Sequence, residues 1–278
     1  MAGVKEEKGD RKLAVLIDGD NAQPSRLGSV LEEVLKYGRA TIRRIYGDWT
    51  IPQMSQWKSE LQKNSIVCAH QFNYTTGKNA TDSFMIIDAM DLLHEGSVDG
   101  IVIVSSDSDY TRLAMRFREA GKFVMGVGER KTPLAFVNAC ETFVYTENLQ
   151  SKSNSDEETP KEDNGDASFT EEEVPSAEQD QNPLPLLKRA FAMVEQDDGW
   201  AHLAAIGIAL RKLDPAFDSR TYGHPKLRKL IEAHSDVFEL RMEEEKSGMP
   251  RFTLLAERVL SRQRTCQTLL LLPWQTPA

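Results

Sequence analysis

The sequence predicts an α/β protein: a doubly wound, mostly parallel sheet followed by a small winged helix-turn-helix unit. Three observations predict it. Short runs rich in Val and Ile, such as Leu13–Ile17 and Ile101–Val104, recur between helix-like segments, the pattern of strands buried on both faces. Residues 151–181 interrupt that rhythm with Ser, Asn, Glu, Asp and Pro and one aromatic, Phe169. Beyond them, three apolar helical stripes lead into two β-like segments around Ser247-Gly248.

Taken in order, strands are expected at 13–17, 40–46, 66–71, 100–104, 122–127 and 142–145. Helices fit at about 25–36, 53–63, 81–94, 109–120 and 132–138. Such βαβ alternation indicates a parallel sheet with crossover helices. In the helix at 81–94, Ile86, Ala89, Met90 and Leu93 form an apolar stripe. Asp82 falls in its first turn, where the helix dipole favours an anion. The acidic stretch 151–181 cannot bury enough apolar surface to offset its ordering entropy and reads as a disordered linker. After it come a helix at 184–197, broken by Asp198-Gly199, and a second at 201–213 with Leu203, Ile206, Leu210 and Leu213 on one face. A third helix at 225–235 and β segments at 236–241 and 251–255 complete a winged helix-turn-helix, with a tail at 261–278.

The chain has 278 residues, enough for two domains. Its longest late apolar run, Leu269–Leu272, is far below the roughly 18 residues of a membrane span. Met1–Lys12 is charged and lacks the apolar core of a secretory signal. Cys68, Cys140 and Cys266 are widely spaced, without a zinc-like pattern, and suit a reducing compartment. These features exclude a membrane protein and a disulfide scaffold and set the expectation of a cytoplasmic protein. The net charge of −9 is concentrated in residues 151–180, which hold eleven acidic side chains and two lysines. Elsewhere thirty-two acids balance thirty-two bases, so overall charge does not argue against a nucleic-acid partner.

Four aspartates carry the chemistry. Asp18 follows the first apolar run, Asp107 and Asp109 follow the fourth, and Asp82 opens a helix. Open α/β sheets bind ligands at the carboxyl ends of their strands. Two carboxylates about 4 Å apart repel by on the order of 4 kcal/mol at an effective dielectric of 20. A cluster of them makes physical sense around a cation, and all-oxygen ligands favour Mg²⁺ or Mn²⁺ over Zn²⁺. The pattern therefore points to a magnesium-type phosphodiesterase site. Two other acidic sites fit less well. A haloacid-dehalogenase-type phosphatase needs Gly-Thr after its paired aspartates, where Asn21-Ala22 stands here. A receiver domain needs an acid at the end of the third strand, where His70-Gln71-Phe72 stands. His70 and His94 lack the spacing of metal ligands and are read as structural.

The motifs Asp18-Gly19-Asp20-Asn21, Lys78-Asn79-Ala80-Thr81-Asp82 with Asp88, and Ser105-Ser106-Asp107-Ser108-Asp109-Tyr110 resemble those of the NYN domain of the PIN-like nuclease superfamily. The resemblance covers about residues 11–150. It implies a PIN-like fold and metal-dependent cleavage of RNA. The family's acidic positions fall on Asp18, Asp82, Asp107 and Asp109, with Asn21 beside the first and Asp88 on a further acidic position. Lys78 is expected to reach a phosphate oxygen, and Ser105 and Ser106 to orient carboxylates or cap the next helix. Arg43, with Arg39 and Arg44, and the helical pair Arg112 and Arg116, with Arg118 and Lys122, offer basic surface for an RNA backbone.

Residues 182–260, through Leu213-Asp214-Pro215-Ala216-Phe217-Asp218, Tyr222-Gly223-His224-Pro225-Lys226-Leu227 and Phe238-Glu239-Leu240, resemble the LOTUS domain, also called OST-HTH. That implies RNA binding or docking of a protein partner, with His224, Lys226, Arg228 and Lys229 as the contact candidates. The combined expectation is a Mg²⁺- or Mn²⁺-dependent ribonuclease with a tethered RNA-binding module. A non-catalytic RNA-binding adaptor and a phosphatase acting on small phosphate esters are the alternatives, and a homodimer is left open.

Overall fold

The computed structural model describes residues 11–70, 80–149, 182–197, 199–244 and 250–256. The expected linker at 151–181, the tail at 261–278 and Lys78 lie outside the described residues. The chain divides into two compact units, Met1–Glu178 and Gln179–Ala278.

The first unit is built on a six-stranded parallel sheet. Its strands are β1 (Lys12–Asp18), β2 (Arg39–Gly47), β3 (Val67–His70), β4 (Gly100–Val104), β5 (Phe123–Gly128) and β6 (Thr142–Tyr145). They are ordered β3-β2-β1-β4-β5-β6. The central strands are buried along nearly their whole length, which is why they read as continuous apolar runs. The edge strand β3 is largely exposed. The crossover helices are α1 (Leu27–Val34), α2 (Lys58–Asn64), α3 (Ala80–Glu95), α4 (Thr111–Glu119) and α5 (Leu134–Ala139). Leu13, Val15 and Ile17 of β1 pack with Val102 and Val104 of β4 and with Leu27, Val30 and Val34 of α1. Strand alternation sends Ala14, Leu16 and Asp18 to the opposite face.

Sequence periodicity and structure agree on every strand of this sheet to within two residues. The helices differ at their starts. Three-residue-per-turn segments occupy Pro24–Arg26, Pro52–Trp57 and Ser108–Tyr110, and the α-helices begin only after them. Pro24 and Pro52 set the φ of a first turn without continuing a hydrogen-bond ladder. A second difference concerns α3. Its buried line is Met85, Ala89 and Leu92, whereas Ile86, Met90 and Leu93 are half-buried. The cause is polar. Tyr110 Oη donates to Asp82 Oδ1 at 2.7 Å. Six residues along the helix, Arg44 and Tyr46 of β2 both donate to the Asp88 carboxylate. These two tethers fix the rotation of the helix, and apolar periodicity alone does not register them.

The second unit packs α6 (Leu184–Val194), α7 (Leu203–Leu213) and α8 (Leu227–Glu232) against an antiparallel sheet of β7 (Trp200–His202), β8 (Phe238–Glu244) and β9 (Pro250–Ala256), ordered β7-β9-β8. Leu187, Phe191, Ile206, Leu210, Leu230, Ile231, Phe238 and Leu254 form its core. The arrangement is that of a winged helix. The expected helix at 201–213 loses its start to β7, since Ala201 and His202 pair with Leu254 and Thr253. The helix expected at 225–235 is the shorter α8, whose end is followed by a turn into β8.

The α3 tether has a measurable consequence. Asp88→Ala leaves Arg44 and Tyr46 without their acceptor and should destabilise the metal-free chain by on the order of 2–3 kcal/mol. Ile87→Ala, on the 60% exposed face of the same helix, should stay within about 0.5 kcal/mol. Urea unfolding of both variants checks this; equal effects would mean the tether does not hold the helix.

Candidate active site

The strand order reverses between β1 and β4, which pair in parallel with Ile17 opposite Val104. The crevice at their carboxyl ends is the switch point of the sheet. Asp18 is the last residue of β1 and is fully buried. The chain then turns through Gly19, whose N–H donates to the Tyr46 carbonyl at 2.8 Å. A Cβ at Gly19 would lie 2.7 Å from that carbonyl and 2.8 Å from the Met54 methyl, so no side chain fits there.

The Asp18 carboxylate accepts four hydrogen bonds. Oδ1 takes the N–H groups of Asp20 (3.1 Å) and Asn21 (3.3 Å). Oδ2 takes Asn21 Nδ2 (2.7 Å) and Ser105 Oγ (2.8 Å). Ser105 Oγ accepts in turn from the Asp107 N–H at 3.1 Å. Asp107 caps the turn after β4 by accepting from the Asp109 N–H at 2.8 Å. Ser106 Oγ accepts from the Glu129 N–H at 2.9 Å and ties this loop to the end of β5. Asn21, Ser105 and Ser106 therefore hold the loops and orient Asp18.

The acids share one electrostatic field. Burial raises the Asp82 carboxyl above the usual range, and Asp18, Asp107 and Asp109 raise it further, against the lowering effect of the Tyr110 hydroxyl. Asp20 is exposed, yet partial desolvation raises its carboxyl too, helped by Asp18, Asp82 and Asp48. Burial also drives the Tyr110 phenol far up, with Asp18 and Asp82 contributing, so it stays a hydrogen-bond donor to Asp82. Among the described residues no group of three or more His, Cys, Asp or Glu side chains stands close enough to hold a metal ion directly. The donor chemistry nevertheless suits a hard divalent cation. Every acid here is an oxygen donor, and the crowding felt by Asp20 and Asp82 is the kind a nearby cation relieves.

Other expected residues lie elsewhere or act differently. Asp88 is held by Arg44 and Tyr46 and is not among the charges acting on Asp20 or Asp82. Arg43 is half-buried, and its guanidinium donates to the carbonyls of Ala40 (3.3 Å) and Asn64 (3.0 Å), the latter at the end of α2. Arg112 and Arg116 are exposed on α4, with Arg116 3.7 Å from Glu119. Arg118 and Lys122 donate to backbone carbonyls of Asn138 and Val98. His70 Nδ1 accepts from the Trp49 N–H at 3.3 Å, and His94 Nδ1 lies 2.9 Å from the Met90 carbonyl.

Three residues were missing from the expected set: Asp20, Asp48 and Tyr110. Asp48 follows Gly47 at the carboxyl end of β2, so the strand-end rule already contained the signal. Tyr110 closes the third motif, but its partner Asp82 lies 28 positions away and the sequence does not pair them. In the second unit Lys226 is exposed at the start of α8. Arg228 Nε and Lys229 Nζ both bind Glu232, at 2.6 and 2.8 Å. His224 is half-buried.

A raised carboxyl means that the folded chain binds the proton more tightly than the unfolded one. Stability is therefore lost as pH rises from the unfolded value through the folded value. Asp20→Asn should stabilise the EDTA-treated chain near pH 7, with the gain shrinking as pH falls towards the ordinary carboxylate range. Urea unfolding across that pH series is the check. A loss at neutral pH would show that Asp20 is held by a favourable contact instead.

Two family models agree with this architecture. The NYN domain model matches residues 12–149, and the OST-HTH/LOTUS domain model matches residues 176–250. An uncharacterized protein of Methanocaldococcus jannaschii is 25% identical over 128 residues, covering 45% of this chain and 50% of that protein. The chain thus matches about half the length of that curated relative. A crystal structure of a protein of unknown function from Vibrio parahaemolyticus covers 50% of this chain and 95% of its own, at 18% identity and a TM-score of 0.41. A solution structure of an uncharacterized protein from Nitrosomonas europaea covers 39% and 92%, at 28% identity and a TM-score of 0.25. Residues 12–149 therefore belong to the NYN domain family, with a PIN-like fold, and residues 176–250 to the OST-HTH/LOTUS domain family.

Proposed function

We propose that this chain is a ribonuclease dependent on Mg²⁺ or Mn²⁺, with its C-terminal domain serving to bind the RNA. One observation supports the reading above the others: at the switch point of a sheet in a NYN domain, Asp82 is raised by burial and raised further by Asp18, Asp107 and Asp109 from separate segments. Asp18, Asp82, Asp107 and Asp109 are the residues we assign to the ion, in part through bound water, with Asp18 oriented by Asn21 and Ser105. A bound divalent ion supplies a water of lowered pKa and charge stabilisation at the phosphodiester oxygens. Tyr110 keeps Asp82 in place by donating to one of its oxygens. The exposed Arg112 and Arg116, and Lys78, would take flanking phosphates.

In the C-terminal domain, Arg228 and Lys229 share Glu232, whose carboxyl they hold below the usual range. Lys226 has no ion-pair partner among the described residues and is the cation we assign to the RNA backbone, with His224 beside it. Tethering the two domains raises the local concentration of substrate at the acidic site. No described helix is long and apolar enough to cross a membrane, and a cytoplasmic setting is part of the proposal.

The test is cleavage of labelled single-stranded and structured RNAs in Mg²⁺, Mn²⁺ and EDTA. Asp107→Asn should lower kcat by about a hundredfold or more, the scale of losing one transition-state contact, while leaving the urea midpoint within the range of surface variants. Lys226→Glu should raise KM more than it lowers kcat, and the difference should shrink at high salt. Full activity in EDTA or in Asp107→Asn would reject the metal mechanism. An unchanged KM in Lys226→Glu would make the C-terminal domain a protein-docking module, and RNA binding without cleavage would make the chain an adaptor.

A further inference from the structure

A groove of about 560 Å³ opens in the first unit between the segment 49–62 and the edge strand β3. Trp49, Ile51, Met54, Lys58, Leu61 and Cys68 are among its walls. It is within the size range of small-ligand sites, and none of the residues assigned above to the ribonuclease chemistry lines it.

Two observations join it to the acidic site. Met54 is shared: its methyl packs over Gly19, between Asp18 and Asp20, and over Gly47 at the end of β2. Trp49 directly follows Asp48, one of the acids that raises the Asp20 carboxyl. The groove therefore begins where the carboxylates end. Its chemistry is the reverse of theirs. Trp49 is a half-buried aromatic held in place, its Nε1–H donating to the Ala69 carbonyl at 3.1 Å and its backbone N–H to His70 Nδ1 at 3.3 Å. Lys58 is exposed and has no ion-pair partner among the described residues. A fixed indole and an exposed cation beside the proposed phosphodiester site form the combination that single-stranded nucleic acid needs, a stacking face for a base and a positive charge for the backbone.

We propose that this groove holds one unpaired base of a single-stranded RNA next to the scissile phosphate, with Trp49 as its stacking platform and Lys58 at the adjoining phosphate. The proposal rests on the ribonuclease reading, and its test separates the two. The full chain in EDTA is cross-linked by near-ultraviolet light to a single-stranded RNA oligonucleotide bearing one 4-thiouridine, and the modified peptide is mapped. Kinetics of the same variants follow in Mn²⁺. The expected adduct lies within residues 49–62. Trp49→Ala should lower its yield and raise KM about tenfold, on the scale of one lost base stack. Lys58→Glu, at an exposed position, should act in the same direction and remains informative if Trp49→Ala does not fold. If the chain cuts RNA, yet no adduct forms in 49–62 and Lys58→Glu leaves KM unchanged, the groove proposal is overturned and the ribonuclease reading stands. If the chain neither binds nor cuts RNA, the ribonuclease reading falls, and the groove proposal with it.

Discussion

A carboxylate without solvent exposure has to receive its hydrogen bonds from the protein, and Asp18 receives four. Leaving such a group unpartnered costs several kcal/mol. That demand organises the switch point. Two of the donors are backbone N–H groups of the turn after β1, which closes only because Gly19 lets β1 approach the Tyr46 carbonyl. The fourth is Ser105, the first residue after β4, so the two central strands must be neighbours and in register for the site to exist. Ser105 in turn positions the Asp107 N–H. One buried acid thus couples sheet topology to the placement of the acid on the next loop.

The remaining acid of this group, Asp82, arrives on a helix, and its position depends on how that helix is rotated. A helix packed by apolar contacts alone slides and rotates over small free-energy differences. Here α3 is held at two points, by Tyr110 on Asp82 and by Arg44 and Tyr46 on Asp88. Tyr46 stands opposite Asp18 in the parallel register of β2 and β1. The tether on Asp88 and the buried Asp18 are therefore referenced to the same rung of the sheet. Asp88 serves the site through geometry: it sets where Asp82 stands.

Much of this was legible in the sequence for identifiable reasons. Strands buried on both faces leave continuous Val/Ile runs, and the sheet was read almost to the residue. Acids at strand ends and helix starts announce themselves by position, which is why the sequence singles out Asp18, Asp82, Asp107 and Asp109, whose charges meet at Asp82 in the structure. What the sequence concealed is pairing between distant side chains. Arg43 looks like any exposed basic residue until its guanidinium is seen capping the end of α2. Arg228 and Lys229 look like a basic patch until Glu232, on the same helix face, is seen to share both. The helix-starting turns at Pro24 and Pro52 escape a sequence reading for a different reason: proline fixes the φ of the first turn whichever helix type follows. The strand β7 is three residues long and pairs with a segment some fifty positions later, so no local pattern marks it.

The acidic cluster raises the question of why the domain tolerates it. Desolvation, and after it the neighbouring like charges, lower the stability of the metal-free fold, as the raised carboxyls of Asp20 and Asp82 record. Functional sites commonly carry such local instability, offset by the rest of the structure. In this unit the offset is visible. Leu13 to Ile17 and Ile101 to Ile103 are fully buried, and they lie directly behind the loops that carry the acids. The turn at Gly19, the cap at Asp107 and the clamp on α3 then keep the repelling groups from moving apart. Repulsion that cannot relax by motion would remain available as attraction for the proposed cation. A rigid sheet with short, hydrogen-bonded loops is therefore the physical requirement for keeping acids of separate segments within one another's field.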